Sequence, residues 1–327
     1  MQTRRCVAAG LAAAGVTLFS NVNADHPSLT VLGGPAGPVT TLTATPVPVG
    51  TWTTGFRAEY VDFDAFSDAE LLGFAELDDE ADVHSTESLT SLSVGAAFGV
   101  MENLTLGFSV PYIHREDIRQ VHGHHDEEEH EEEGEEHDEE DEPTEVDRLG
   151  DSSGIGDAVL YGQYRFFATA DQRNQAAVVL GLKTPTGKTS ERGPDGERLE
   201  VDLQPGSGSW DPLLGAAYSW SSARIGVNAS LLYKFATEGS QETDLGDVLA
   251  YNAALSYRLT GGADDHHHHG DEAHVAHDHS SLSLLLELNG EWRDKEETAG
   301  TKNPNSGGNV LYLSPGARYG FAGNWTA

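Results

Sequence analysis

Residues 224–235, RIGVNASLLYKF, decide the fold. Ile225, Val227, Ala229, Leu231, Tyr233 and Phe235 occupy the odd positions and are all apolar. Between them stand Arg224, Gly226, Asn228, Ser230 and Lys234, which are small, polar or charged, with Leu232 the lone exception. Successive side chains of a strand point to opposite faces, so this is a ribbon with one apolar and one polar side. A soluble sheet gives that pattern once. Here it recurs along the chain, which predicts an all-β, antiparallel, up-and-down transmembrane β-barrel with its apolar side toward lipid.

Outward from that stretch, the alternation runs through 52–60, 92–100, 104–112, 158–166, 176–182, 214–220, 249–259, 282–292 and 311–319. The opposite register carries the charges: Arg57, Glu59, Asp157, Arg165, Lys183, Arg224, Lys234, Arg258, Glu287, Glu291, Arg293 and Arg318. A Lys or Arg facing lipid at mid-depth costs about 2–4 kcal/mol, so these residues are read as lining the lumen. Mixed signs there favour cross-bracing of the interior over ion selection. Trp52, Tyr112, Trp220, Tyr257, Trp292 and Tyr319 lie near strand ends, where interfacial aromatic girdles belong. A soluble sandwich or lipocalin-like barrel is the bland alternative; it would bury the same rows against a second layer.

Long and short connections alternate, as in outer-membrane barrels with short periplasmic turns and long external loops. Residues 261–280 break the rule, being long where parity asks for a turn. About ten strands and the start of another are counted, and even strand numbers give about twelve in the full protein, with C-terminal strand sequence missing here.

The net charge of -35 argues against nucleic acid, because neutralising phosphates needs clustered Lys and Arg. No apolar run long enough for a membrane helix follows the N-terminus. Residues 1–24 read as a secretory signal: Arg4 and Arg5, an apolar core over 7–19, and the small-residue site Val22-Asn23-Ala24. Cys6 falls inside it, so the mature chain carries no cysteine chemistry. Residues 25–50 are rich in Gly, Pro and Thr and suit an extended periplasmic lead-in rather than a packed element. The barrel is expected over 51–327, interrupted by two His/acid-rich loops at 115–154 and 261–280.

Several stretches also carry a resemblance. GGPAGPVTTLTATPVPVGTWTTGFRAEYVDFDAFSDAELL (33–72), GIGDAVLYGQYRF (154–166), KTPTG (183–187), QPGSGSWDPLLGAAYS (204–219) and NSGGNVLYLSPGARY (305–319) follow one another in order. Together they resemble the outer-membrane transporter family named after the phenol meta-degradation pathway protein. The resemblance spans nearly all of the mature chain. It implies an outer-membrane β-barrel and passage of small molecules, without making phenol a ligand. The His/acid insertions and the absent C-terminal strand depart from the family pattern.

Those insertions hold the chemistry. The first carries His122, His124, His125, His130 and His137 among carboxylates; the second carries His266, His267, His268, His269, His274, His277 and His279. Imidazole and carboxylate suit Zn, Ni or Cu(II), and the carboxylates alone could hold Ca or Mg. Ordering a loose chain around an ion costs conformational freedom, so several weak, exchangeable sites are expected, with no obligatory cofactor. Passive, solvated low-complexity tracts are the competing reading.

Enzyme motifs fail inspection. GLKTPTGKT (181–189) has glycine spacing one residue too long for a phosphate-binding loop, and neither a nucleophile elbow nor an HExxH pair occurs. The expected function is an outer-membrane channel for small solutes whose His/Asp/Glu loops bind divalent transition metal at the pore entrances. Its partners would be outer-membrane lipid and lipopolysaccharide, small solutes and metal ions. Two alternatives stay open: a channel for apolar or aromatic molecules with passive acidic loops, and a non-conducting surface metal-binding protein.

Overall fold

The computed structural model describes residues 38–77, 82–122, 145–261, 280–321 and, as backbone only, 7–10, 13–14, 16–17 and 325–326. One antiparallel sheet dominates, its long strands paired in chain order. They are β1 (Trp52–Asp62), β2 (Ser88–Met101), β3 (Leu104–His122), β4 (Asp147–Ile155), β5 (Val159–Ala168), β6 (Asn174–Lys183), β7 (Asp211–Ser221), β8 (Ile225–Lys234), β9 (Val248–Thr260), β10 (Ser281–Arg293) and β11 (Gly308–Phe321). β4 and β5 both run beside β3 and form one bent crossing, with Gly156 donating to the Pro111 carbonyl at the bend. Neighbour-to-neighbour pairing throughout is the up-and-down topology the alternation predicts.

The sheet is inside out. Leu180, Leu214, Leu231, Leu255, Leu286 and Leu313 are exposed, while Ser91, Thr105, Gln163, Ser219, Ser230 and Ser283 are buried. No soluble sheet orders its faces that way. Leu231 is 54% exposed and its neighbours Ser230 and Leu232 only 4% and 7%, so the opening stretch has the expected period. Leu232 is no flaw in the pattern: with Val159, Val179 and Leu213 it forms an apolar cluster on the inner face.

Three connections are more ordered than their composition suggests. The first expected loop, 115–154, shrinks from both ends. Arg115–His122 continue β3, and 147–155 pair with it as β4. Ile118 and Val121, both fully buried, pin the extension: Ile118 packs with Leu199 and Leu203, and Val121 with Leu71 and Ala75. Those partners are remote in sequence, which is why local polarity misled.

The polar stretch between β6 and β7 likewise packs through Leu199, Val201 and Leu203, each at most 3% exposed. It folds back where Gly206 meets Gly187; a Cβ on Gly206 would stand 2.6 Å from the Gly187 Cα. The helix α1 (Asp68–Ala75) lies in the connection between β1 and β2, and Ser67 and Glu70 close a capping box at its start.

The lead-in is also corrected. Residues 38–48 are packed, with Thr41 and Ala44 fully buried and Val47 nearly so. The segment runs across the inner face by donating backbone N–H groups to side chains of successive strands. Leu42 donates to Ser230, Ala44 to Ser219 and Val47 to Thr105. Small wall residues make room: Ala44 packs on Ala177 and Ala217. Of the stretch read as a signal, Val7–Ala8 pair with Val61–Asp62, and Val16–Thr17 with Tyr312–Leu313.

Candidate functional site: the inner face and its long-loop rim

Most charges of the inward register are inside, and nearly all of those are paired. Lys183, 7% exposed, places Nζ 3.0 Å from Asp157 Oδ2 and 2.9 Å from Asp211 Oδ2. It also reaches Ser209 Oγ at 3.0 Å and contacts Ser207 Oγ, while Lys234 stands 3.9 Å from Asp211. Asp157 in turn accepts the N–H of Gly187 and of Ser207. These contacts give the KTPTG and QPGSGSWDP stretches one physical role: they fold the connection over the strand ends around a buried Lys–Asp centre.

Arg57 pairs with Glu59 at 3.2 Å and Arg293 with Glu291 at 2.8 Å. Arg165 fans out onto Asn103, Gln172 and Gln175 beside the short turn. Glu287 receives the N–H groups of Val39, Thr40 and Thr41. Arg318 is half-buried; Arg258 is exposed near a strand end, and Arg224 is exposed in the turn ahead of β8. Cross-bracing is therefore the observed use of most of these charges.

Of the twelve histidines expected to hold metal, only His122 falls among the described residues. It is exposed at the tip of β3. His124, His125, His130, His137, His266, His267, His268, His269, His274, His277 and His279 lie outside the described residues. Their attachment points are clear. β3 and β4 end together at the rim of the long connections, whereas Thr260 and Ser281 end at the rim of the 102–103 and 222–224 turns. By the usual architecture the first rim is external and the second periplasmic.

The structure brings together one constellation that sequence reasoning missed. A short strand, Asp82–Ser85, pairs with the end of β3 and carries His84. His84 Nδ1 lies 3.4 Å from Asp202 Oδ2, and Nε2 lies 3.5 Å from Glu200 Oε2. The signal was the alternation Leu199-Glu200-Val201-Asp202-Leu203, which buries three apolar residues and turns both acids the other way. Burial opposes the Asp202 charge, but His84 and then Arg115 outweigh it and hold the carboxyl below its ordinary range. Glu296, from the connection after β10, is pushed up to about 8 by burial and then by Asp202 and Glu200.

An antiparallel sheet in chain order, apolar outside and polar inside, defines a transmembrane β-barrel of the outer-membrane type. The chain belongs to the family described as "Putative MetA-pathway of phenol degradation", whose model matches residues 133–327. No curated protein is similar enough to match. Among solved structures it is similar to an outer-membrane channel from Pseudomonas putida F1, at 16% identity and a TM-score of 0.48 over 86% of each chain. It is also similar to a FadL homologue from Pseudomonas aeruginosa, at 10% identity and a TM-score of 0.34, covering 96% of this chain and 85% of that one.

Proposed function

We propose that this protein is an outer-membrane channel for small solutes, not an enzyme, whose His/Asp/Glu-rich stretches bind divalent transition metal at both entrances. Residues 1–24 direct export, and lipid and lipopolysaccharide surround the barrel. One observation carries the channel reading: a polar, charged inner face lies behind an apolar outer one. The metal reading rests on chemistry, since imidazole beside carboxylate suits Zn, Ni or Cu(II), and on the attachment of the two stretches to opposite rims. A negatively charged mouth also raises the local cation concentration.

A second reading draws on the cluster of Val159, Val179, Leu213 and Leu232, against which Leu42 packs on the inner face. That apolar layer favours apolar or aromatic solutes, with the acidic stretches passive. The two readings separate in cells lacking 122–142 or 265–279. Altered accumulation of Zn, Ni or Cu with unchanged uptake of apolar solutes supports the first; unchanged metal handling removes it. Planar-bilayer conductance of the full-length protein tests the channel itself, and a non-conducting insertion would overturn it.

A further inference from the structure

His84, Glu200 and Asp202 belong to neither His-rich stretch, and one ligand atom from each lies within 4.8 Å of the others. From this geometry we propose that the three side chains bind a single divalent transition ion of the Zn(II) class at the long-loop rim. Bound there, it ties the Asp82–Ser85 edge strand to the connection over the mouth.

The distances favour an ion over a direct pair. Charge-assisted N–H···O contacts run about 2.7–2.9 Å. Both imidazole nitrogens stand farther than that from their carboxylates, at 3.4 and 3.5 Å. Two donors each about 2.1 Å from a tetrahedral ion are about 3.4 Å apart, the spacing of His84 Nδ1 and Asp202 Oδ2. Glu200 stands on the Nε2 edge of the ring, so its carboxylate or the ring must turn to complete the site.

The surroundings point the same way. Gln120 Nε2 donates to Glu200 Oε1 at 3.2 Å, orienting that carboxylate as an outer-shell partner would. Asp202 Oδ1 is buried and accepts no hydrogen bond among the described residues. Buried oxygens without partners are costly, and a cation supplies one. Arg115 directs Nη1 to the carbonyls of Leu203 and Gln204. The buried Leu199, Val201 and Leu203 hold both acids in place before any ion arrives, which lowers the ordering cost. One imidazole among carboxylates selects Zn, Ni or Co over Mg and Ca.

The site does not depend on the His-rich stretches, and the test keeps them apart. Full-length protein in detergent, with the histidines of 123–137 and 266–279 changed to Gln, is titrated calorimetrically with Zn(II). One saturable site is expected. His84→Ala should weaken it at least a hundredfold and Glu200→Gln about tenfold, while His114→Ala leaves it unchanged. Heat-modifiable gel migration verifies folding of each variant. Zn(II) should also slow hydrogen exchange in 82–85 and 199–203. Absence of saturable binding, or equal affinity in His84→Ala, overturns the proposal; it would leave His84 as an imidazolium shared by two carboxylates. Equal stoichiometry in the parent and the Gln-substituted protein would instead remove the loop reading alone.

Discussion

Glu287 Oε2 accepts both the backbone N–H and the hydroxyl of Thr41, each at 3.1 Å, across 246 residues of chain. Its other oxygen takes the Val39 N–H at 2.6 Å, so one buried carboxylate anchors the segment that crosses the inner face. Hydrogen bonds to a charged group are worth about 1.5–3 kcal/mol each. Glu287→Ala should therefore lower the local opening free energy of 38–48 by roughly 2–3 kcal/mol. Thr41 amide exchange would accelerate roughly thirty- to a hundred-and-fiftyfold, and protease would cut the segment in otherwise folded barrels. Unchanged protection would show that the apolar packing of Leu42 and Ala44 holds it alone.

Lys183 is the cation between Asp157 and Asp211, and all three are almost wholly buried. Removing one partner from such a centre costs about 3–5 kcal/mol, because the remaining charges stay buried. Lys183→Met should lower the unfolding temperature in detergent clearly. The triple change with Asp157→Asn and Asp211→Asn should recover most of the loss. Failure of that recovery would mean the lysine acts through packing rather than charge.

The facing of the sheet has its own test. Leu231 pairs with Ala216 and Tyr251 at mid-strand and stands in the exposed register. Leu231→Arg should cost about 2–4 kcal/mol of folding stability in bilayers. The same change measured in water-filled surroundings should cost little. A cost for Leu231→Arg in bilayers no greater than that for Leu231→Ala would contradict a lipid-facing Leu row.

Glu296 gives a pH dependence. Burial, then the charges of Asp202 and Glu200, raise its carboxyl to about 8, so the folded rim favours the protonated acid. The sign follows: its contribution is fully present below the ordinary glutamate range and is lost as pH rises through about 8. In chelator, docking of 294–303 should loosen between mildly acid and alkaline pH, read as exchange corrected for intrinsic rate. Glu296→Gln should remove the dependence. The other titratable groups facing it are His84, Asp202, Glu200 and Arg293, so persistence of the effect in that variant would assign it to them.

The strand pattern was legible because a membrane sheet writes its two faces into alternate residues. Period and parity alone located the crossings and the end of the barrel at which each His-rich stretch attaches, while of the charges on the polar register Arg224 and Arg258 are exposed. What composition could not convey was any contact made across the chain. The stretch 199–203 is short and carries two acids, yet its leucines are buried because Ile118 and Leu149 await them from other strands. Residues 38–48 look like a linker until strand side chains satisfy their N–H groups one by one. His84 has no motif around it, and its carboxylate neighbours are more than a hundred residues away. Alternation is a local property, so the sequence by itself determined the wall. Partners for the inner segment, the buried lysine and the rim histidine are set by which strands curl next to which, and only the tertiary structure decided them.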